Sequence, residues 1–338
     1  MMKKELLCTL GPSSMNDRVI ARLEELGVAL FRINLSHTAL DELPSVIRYV
    51  QERTSVPVCL DSEGAQVRTA RFMESTVQVV DNSHVTLHHR RVPGDSNNWN
   101  LYPSHVVGEL MLGDIISIDF NAVLIQVVEI TEDTARARVL NGGMIGSNKA
   151  VSLRREIPLP PLTEKDIAAL AIGCDMGIED FALSFANSGD DVDRMRDIIG
   201  DSARLISKIE SRDGIRNLED IAKRSDALLI DRGDLSRKVP IEKVPFLQRR
   251  IISFARSRKT PVFVATNLLE SMVTKKSPTR AEVNDVVSTL LMGVDGLVLA
   301  AETAIGKFPV EAVTMIRNLI DESEMWTPDT SLAEIIGG

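Results

Sequence analysis

The sequence predicts an α/β protein, a TIM-type (β/α)8 barrel carrying an inserted small β-barrel domain after its third strand. Three observations lead there. Eight short apolar runs alternate with helical patterns, the form taken by parallel strands buried on both faces. Polar residues follow the runs, as they do where strands open into loops at the barrel mouth. Between the third and fourth runs lie well over one hundred residues, far more than one crossover needs.

In order, the runs are Glu5 to Thr9, Val28 to Ile33, Val56 to Leu60, Ile178 to Ser184, Arg204 to Ile209, Ala227 to Ile230, Pro261 to Ala265 and Gly296 to Leu299. Helical spacing fills Asp17 to Leu26, Thr163 to Met176, Val192 to Ile199, Ile215 to Arg224 and Ala281 to Met292. The long interruption alternates apolar and polar residues, as in Thr76 to Val80, Ile115 to Asp119 and Ala135 to Val139, with turn signals at Pro93-Gly94 and Gly142-Gly143. The expected division is a barrel over 1–69 and 158–325, an insert over 70–157 and a tail over 326–338. An insert after a strand's C-terminal end emerges on the catalytic face, so a lid is expected. A last helix covers Pro309 to Glu324. No further domain is expected in the tail, which runs through Thr327-Pro328 to Gly337-Gly338.

A chain of 338 residues accommodates one barrel and one small insert. Its 48 acidic against 39 basic residues, a net charge of −9, disfavour a nucleic-acid footprint and point to a small-molecule partner. Cys8, Cys59 and Cys174 are too few and too scattered for a disulfide framework or a zinc cluster, which fits a reducing cytoplasm. No apolar stretch nears the roughly 18 residues of a membrane span, so no membrane partner is expected.

Lys208 and Glu210 stand two apart in the fifth run, so an ammonium and a carboxylate enter one space. A carboxylate there suits Mg²⁺, which needs a second ligand nearby, and Asp234 after the sixth run is the candidate. Arg32, Asn34 and Ser36 alternate at the end of the second run, and Asp61 and Ser62 follow the third. Arg32 suits a phosphoryl group through its planar fork. Asn34, Ser36, Asp61 and Ser62 either hold a weakly bound monovalent cation or cap their loops. Arg68, at the edge of the insert, is within reach of nucleotide phosphates. Asp231, Arg232, Gly233 and Asp234 offer successive amides at a helix start to an anion such as a carboxylate, which implies an oxyacid. Thr266 either donates a hydrogen bond or relays a proton at the site, or caps a helical Leu268 to Met272.

These residues stand in segments that together resemble the pyruvate kinase family over nearly the whole chain. They are TLGPS from Thr9, FRINLSH from Phe31, LDSEG from Leu60 with Arg68-Thr69, ISKIE from Ile206, RGDL from Arg232, Ala265-Thr266 with LESM from Leu269, PTRAE from Pro278 and ETA from Glu302. In the insert, NGG from Asn141 and GSNK from Gly146 are similar to the family's lid, and LTEKD from Leu162 to its return into the barrel. The resemblance implies phosphoryl transfer between phosphoenolpyruvate, or a related oxyacid, and ADP or ATP. It assigns Lys208 to the phosphoryl and enolate charge, Glu210 and Asp234 to Mg²⁺ or Mn²⁺, and Arg32 to the phosphoryl clamp. It assigns Asn34, Ser36, Asp61 and Ser62 to K⁺, and Thr266 to the enolate. Arg68, His37 and Lys149 match positions near the nucleotide.

The chain departs from the family at several of these places. Ser62-Glu63-Gly64-Ala65-Gln66 replaces a basic residue by Glu63 and removes an acid linked with potassium dependence. Asp231 stands where a small residue is usual, either beside the substrate carboxylate or turned away from it. Ala300 lacks a hydroxyl associated with enolate protonation, Asn187 replaces an arginine, and Asp119-Phe120-Asn121 replaces two acids and a glycine. The family's C-terminal domain and its effector site are expected to be missing. A homodimer through Pro278 to Met292 is admitted, as is a purely intramolecular role for that tract. Beside the phosphotransferase stand two alternatives, a metal-dependent pyruvate-enolate lyase or aldolase and a noncatalytic metabolite-binding protein.

Overall fold

Parallel pairing of β1 (Glu5–Thr9) with both β2 (Leu30–Asn34) and β8 (Gly296–Leu299) closes an eight-stranded barrel. Between them run β3 (Val58–Asp61), β4 (Asp180–Leu183), β5 (Arg204–Ile209), β6 (Ala227–Asp231) and β7 (Val262–Ala265), each hydrogen-bonded to its sequence neighbour in the ring. The computed structural model describes residues 4–119, 122–155, 157, 159–326 and 329–336. Thr327, Pro328, Gly337 and Gly338 of the expected tail, and Phe120 and Asn121, lie outside the described residues.

The strands are apolar on both faces because both are buried. Leu7, Leu30, Cys59, Ala182, Ile206, Leu229, Phe263 and Val298 form the inner layer. Their sequence neighbours, such as Leu6, Phe31, Leu60, Leu228 and Leu297, pack outward against the helices in a second, larger core. Where strands begin later than their apolar runs, the helix before them is responsible. Val28 and Ile178 give their amides to Leu23 and Gly173 at the ends of the preceding helices, and Pro57 has none to give to a ladder. The single helix expected over Ile215 to Arg224 is two pieces, Arg212–Arg216 and Leu218–Arg224, broken at Asn217. Helix Glu164–Asp175 starts in a reciprocal capping box between Thr163 and Asp166. Helix Pro309–Met325 follows β8, after a short turn of helix at Ala301–Ala304.

Residues 65–160 form a second compact unit, distinct from the barrel unit of 1–64 with 161–338. Strand Val67–Thr69 already pairs with Ala150–Leu153, which draws the start of the insert ahead of Ala70. The insert has its own core around Trp99, with Leu87, Ile116, Ile125 and Val139. Its ladder is an eight-stranded mixed sheet whose hydrogen-bonded order has two ends, accompanied by a two-stranded ribbon of Thr76–Val79 and Gly143–Gly146. The alternation legible in the sequence is the alternation of burial along Thr134–Asn141, where Ala135, Ala137 and Val139 point inward.

Candidate active site

Strand parity builds the site. Two residues beyond the inner layer of Leu7, Leu30, Cys59, Ala182, Ile206 and Leu229, the same face carries Thr9, Arg32, Asp61, Ser184, Lys208 and Asp231. One further step adds Asn34 on β2 and Glu210 after β5. Apolar layers fill the barrel, and polar groups crown its C-terminal end.

Lys208 is the centre of this crown. Its ammonium lies 3.0 Å from Glu210 Oε1, 3.4 Å from Asp61 Oδ2 and 3.9 Å from Asp231 Oδ2, and it donates to Ser184 Oγ at 2.9 Å. Burial by itself would favour the neutral amine, but the carboxylates of Asp61, Glu210 and Asp231 outweigh it and push the Lys208 pKa up. Arg32 is equally fixed. Its Nε donates to Thr9 Oγ1 at 3.0 Å, and its Nη1 stands 3.0 Å from Asp61 Oδ2 but outside hydrogen-bond geometry.

Glu210 is fully buried, and burial is the main cause that raises its pKa; Asp231, Asp234 and Asp61 add to the shift while Lys208 opposes it. Its Oε2 accepts the amide of Phe185 at 2.6 Å, which Phe185 presents from a left-handed backbone, φ 51°. Its Oε1 has no hydrogen-bond partner, since Lys208 approaches it off-axis. One oxygen each from Glu210, Asp231 and Asp234 lies within 4.8 Å of the others. Hard oxygen donors, one of them buried and without a hydrogen bond, fit a divalent cation such as Mg²⁺. Asp234 also pairs with Arg237 at 2.9 Å.

Asp231 points inward, so the reading that turned it away from the site does not hold. Its Oδ1 accepts from the amides of Gly233 at 3.1 Å and Asp234 at 3.4 Å and from the Thr266 hydroxyl at 3.1 Å. The amides expected to greet an anion therefore face an internal carboxylate. Arg232 is committed elsewhere, to Asp285 at 2.6 Å and to the carbonyls of Thr266 and Asn267. Thr266 does not cap a helix. The turn Glu270–Val273 that follows is 3-10 with Leu269 at its cap, and Thr266 sits at φ 68°, strained for a β-branched residue. A cavity of about 350 Å³ opens beside it, lined in part by Asn267, Glu270, Ala300, Ala301 and Glu302.

The donors expected for a monovalent cation are brought side by side, with Asn34 opposite Asp61 in the ladder. They are also used. Asn34 Oδ1 accepts the Ser36 amide at 2.9 Å, Ser62 Oγ accepts the Ser184 amide at 3.0 Å, and Asp61 faces both Arg32 and Lys208. Loop capping is thus the role seen for Asn34 and Ser62. Glu63 is matched by Lys165 at 2.8 Å, so the acid standing in place of a base is neutralised locally. Asn187 accepts from Ser211 and Asn217.

His37 belongs to the barrel unit, where its amide closes a turn onto Asn34, and Arg68 and Lys149 belong to the insert. Within the insert these two are neighbours across a ladder, Arg68 opposite Ala150. Arg68 donates to the Asn148 carbonyl at 3.0 Å, and Lys149 pairs with Asp119 at 2.9 Å. Sequence reasoning missed Thr9, Ser184 and the Phe185 amide as supports of Arg32, Lys208 and Glu210. Parity counted back from Arg32 and Lys208 into the neighbouring strands was the signal for the first two; the third needs a backbone angle. Among the described residues no helix is long and apolar enough to cross a membrane.

The family model for the pyruvate kinase barrel domain matches residues 1–313. The pyruvate kinase of Methylorubrum extorquens strain AM1 is 34% identical over 328 residues, 95% of this chain and 69% of that protein. That of Thermotoga maritima is 32% identical over 333 residues, 96% and 72% respectively. That of Mycobacterium tuberculosis is 33% identical over 325 residues, 94% and 69%.

Proposed function

The chain belongs to the pyruvate kinase family, and on that premise we propose that it transfers a phosphoryl group between phosphoenolpyruvate, or a related enol phosphate of an oxyacid, and ADP or ATP. The observation that carries this reading is Lys208, a buried ammonium held among Asp61, Glu210, Asp231 and Ser184 at the barrel's C-terminal rim.

Phosphoryl transfer asks little covalent work of a protein; it asks that two anions be placed in line and their charge offset. Lys208 suits that task because its raised pKa keeps it charged, so it serves as a fixed cation and not as a proton donor. Arg32 is pre-organised by Thr9 and Asp61, and its planar fork clamps phosphoryl oxygens without further ordering. Glu210 and Asp234 would hold the divalent cation. When bound, Mg²⁺ supplies positive charge to the phosphoryl and enolate oxygens. Thr266 keeps a hydroxyl at the edge of the cavity beside Ala300, where an enolate carbon is to be protonated. Arg68 and Lys149 of the insert, and His37 of the barrel, are assigned to the nucleotide.

The test is turnover. Purified protein with Mg²⁺, ADP and a panel of enol phosphates, phosphoenolpyruvate first, is expected to make ATP, and the Lys208→Met variant is expected not to. Absence of transfer across the panel rejects the reading. Enolate chemistry without any need for nucleotide would instead point to a lyase.

A further inference from the structure

We propose that Asp231 is a third protein ligand to the divalent cation. The inference rests on the metal site of the proposed function and extends it by one residue.

Parity along β6 carries Ala227, Leu229 and then Asp231 to the inner face, the face shared by Lys208 and Glu210. The side chain is buried, and one of its oxygens is anchored. Oδ1 takes hydrogen bonds from the Gly233 and Asp234 amides and the Thr266 hydroxyl, which leaves Oδ2 turned toward the Lys208 ammonium at 3.9 Å. A carboxylate fixed by one oxygen presents the other with little conformational entropy left to lose, which is the condition of a good ligand. Independently, Glu210 Oε1 in the same cluster is buried without a hydrogen bond and meets the Lys208 ammonium only off-axis, at 3.0 Å, which leaves a hard oxygen donor suited to a cation.

Charge points the same way. Asp61, Glu210 and Asp231 are three buried acids facing the two buried cations Lys208 and Arg32, and Asp234 is nearby with Arg237 as its own partner. A cation bound by one or two carboxylates depends on substrate oxygens to complete its shell and its charge balance. A third carboxylate adds a protein donor to that shell.

The experiment is a titration of Mn²⁺ into substrate-free protein, read as the loss of free-ion electron paramagnetic resonance signal, for the parent chain and for Asp231→Ala, Asp231→Asn and Glu210→Gln. Circular dichroism checks that each is folded. Asp231→Asn keeps an acceptor for the Gly233 and Asp234 amides but removes the charge and the second carboxylate oxygen, so it separates ligation from capping. The parent is expected to bind one Mn²⁺, and both Asp231 variants to bind it about 10-fold or more weakly. Parent-like binding by Asp231→Asn, or no binding by the parent until substrate is added, overturns the proposal. If Glu210→Gln also binds like the parent, the metal site of the proposed function falls as well; if it alone loses binding, that site stands without Asp231.

Discussion

The Lys208 ammonium lies 3.0 Å from Glu210 Oε1, two residues further along the chain and just past the end of β5, with both side chains buried at the barrel's inner rim. Each needs the other. Without the ammonium the acids around it are uncompensated, and without the acids the ammonium would be driven toward its neutral form.

Replacing Lys208 by Met therefore acts twice. It is expected to lower turnover by on the order of 10²- to 10³-fold, as loss of one charge-stabilising donor does. In metal-free protein it is also expected to cost about 3–5 kcal/mol in urea unfolding, because Asp61, Glu210 and Asp231 lose their shared partner. Unchanged unfolding would show that the ammonium does not offset these acids in the fold.

Divalent-cation binding is expected to strengthen with pH. Burial, with Asp231, Asp234 and Asp61, pushes Glu210 up to about 8, and a metal needs the ionised carboxylate, so below that value protons compete with it. Apparent Mn²⁺ affinity should rise by up to about tenfold per pH unit and level off above about 8. Titrations between pH 6 and 9 read this directly; a flat profile would show that Glu210 is ionised throughout.

Asp166 is the buried support of the loop after β3. Its carboxylate accepts the amides of Thr163, Glu63 and Gly64 at 2.9, 2.7 and 3.1 Å. Asp166→Ala leaves those donors unpaired and is expected to destabilise the barrel by about 3 kcal/mol or more in chemical denaturation. Asp166→Asn, which retains an acceptor, should cost less than half as much.

Ala300 borders the cavity beside Thr266. A hydroxyl restored there by Ala300→Ser is expected to speed exchange of the methyl protons of pyruvate with solvent, by up to about 100-fold. Nuclear magnetic resonance in deuterated water measures it, and no change would mean that protonation does not pass through this wall.

Lys259 ends helix Val244–Arg258 in the left-handed region at φ 60°. Lys259→Gly relieves that strain and is expected to stabilise the fold by about 1 kcal/mol, seen as a melting midpoint higher by a few degrees. The position is exposed and precedes β7, whose opposite, C-terminal end carries the site, so turnover should not move.

How much was legible varies by element. β1, β5 and β8 were readable to the residue, since their apolar runs end where polar chemistry begins and no neighbouring helix consumes their first amides. β2 and β4 start later than their apolar runs, because the amides of Val28 and Ile178 close the preceding helix ends just past Gly27 and Gly177. Lys208 and Glu210 were found by their spacing of two, and Arg32 and Asn34 by the same alternation. Asp231 shares that alternation with Leu229, but its direction could not be read next to a glycine and a helix start, where parity usually breaks.

By itself, then, the order of residues determined the strand-and-helix alternation, the inserted β unit and the pairs of side chains sharing a strand face, because these follow from periods of two and 3.6 that act over a few residues. Tertiary structure alone decided what meets across strands: Arg32 with Thr9 and Asp61, Lys208 with Ser184 and Asp231, Glu210 with the Phe185 amide. Those partners stand more than twenty residues apart, and Ser184 and Lys208 reach Asp61 across 123 and 147 residues, so only closure of the barrel, driven by burial of both strand faces, fixes their distances.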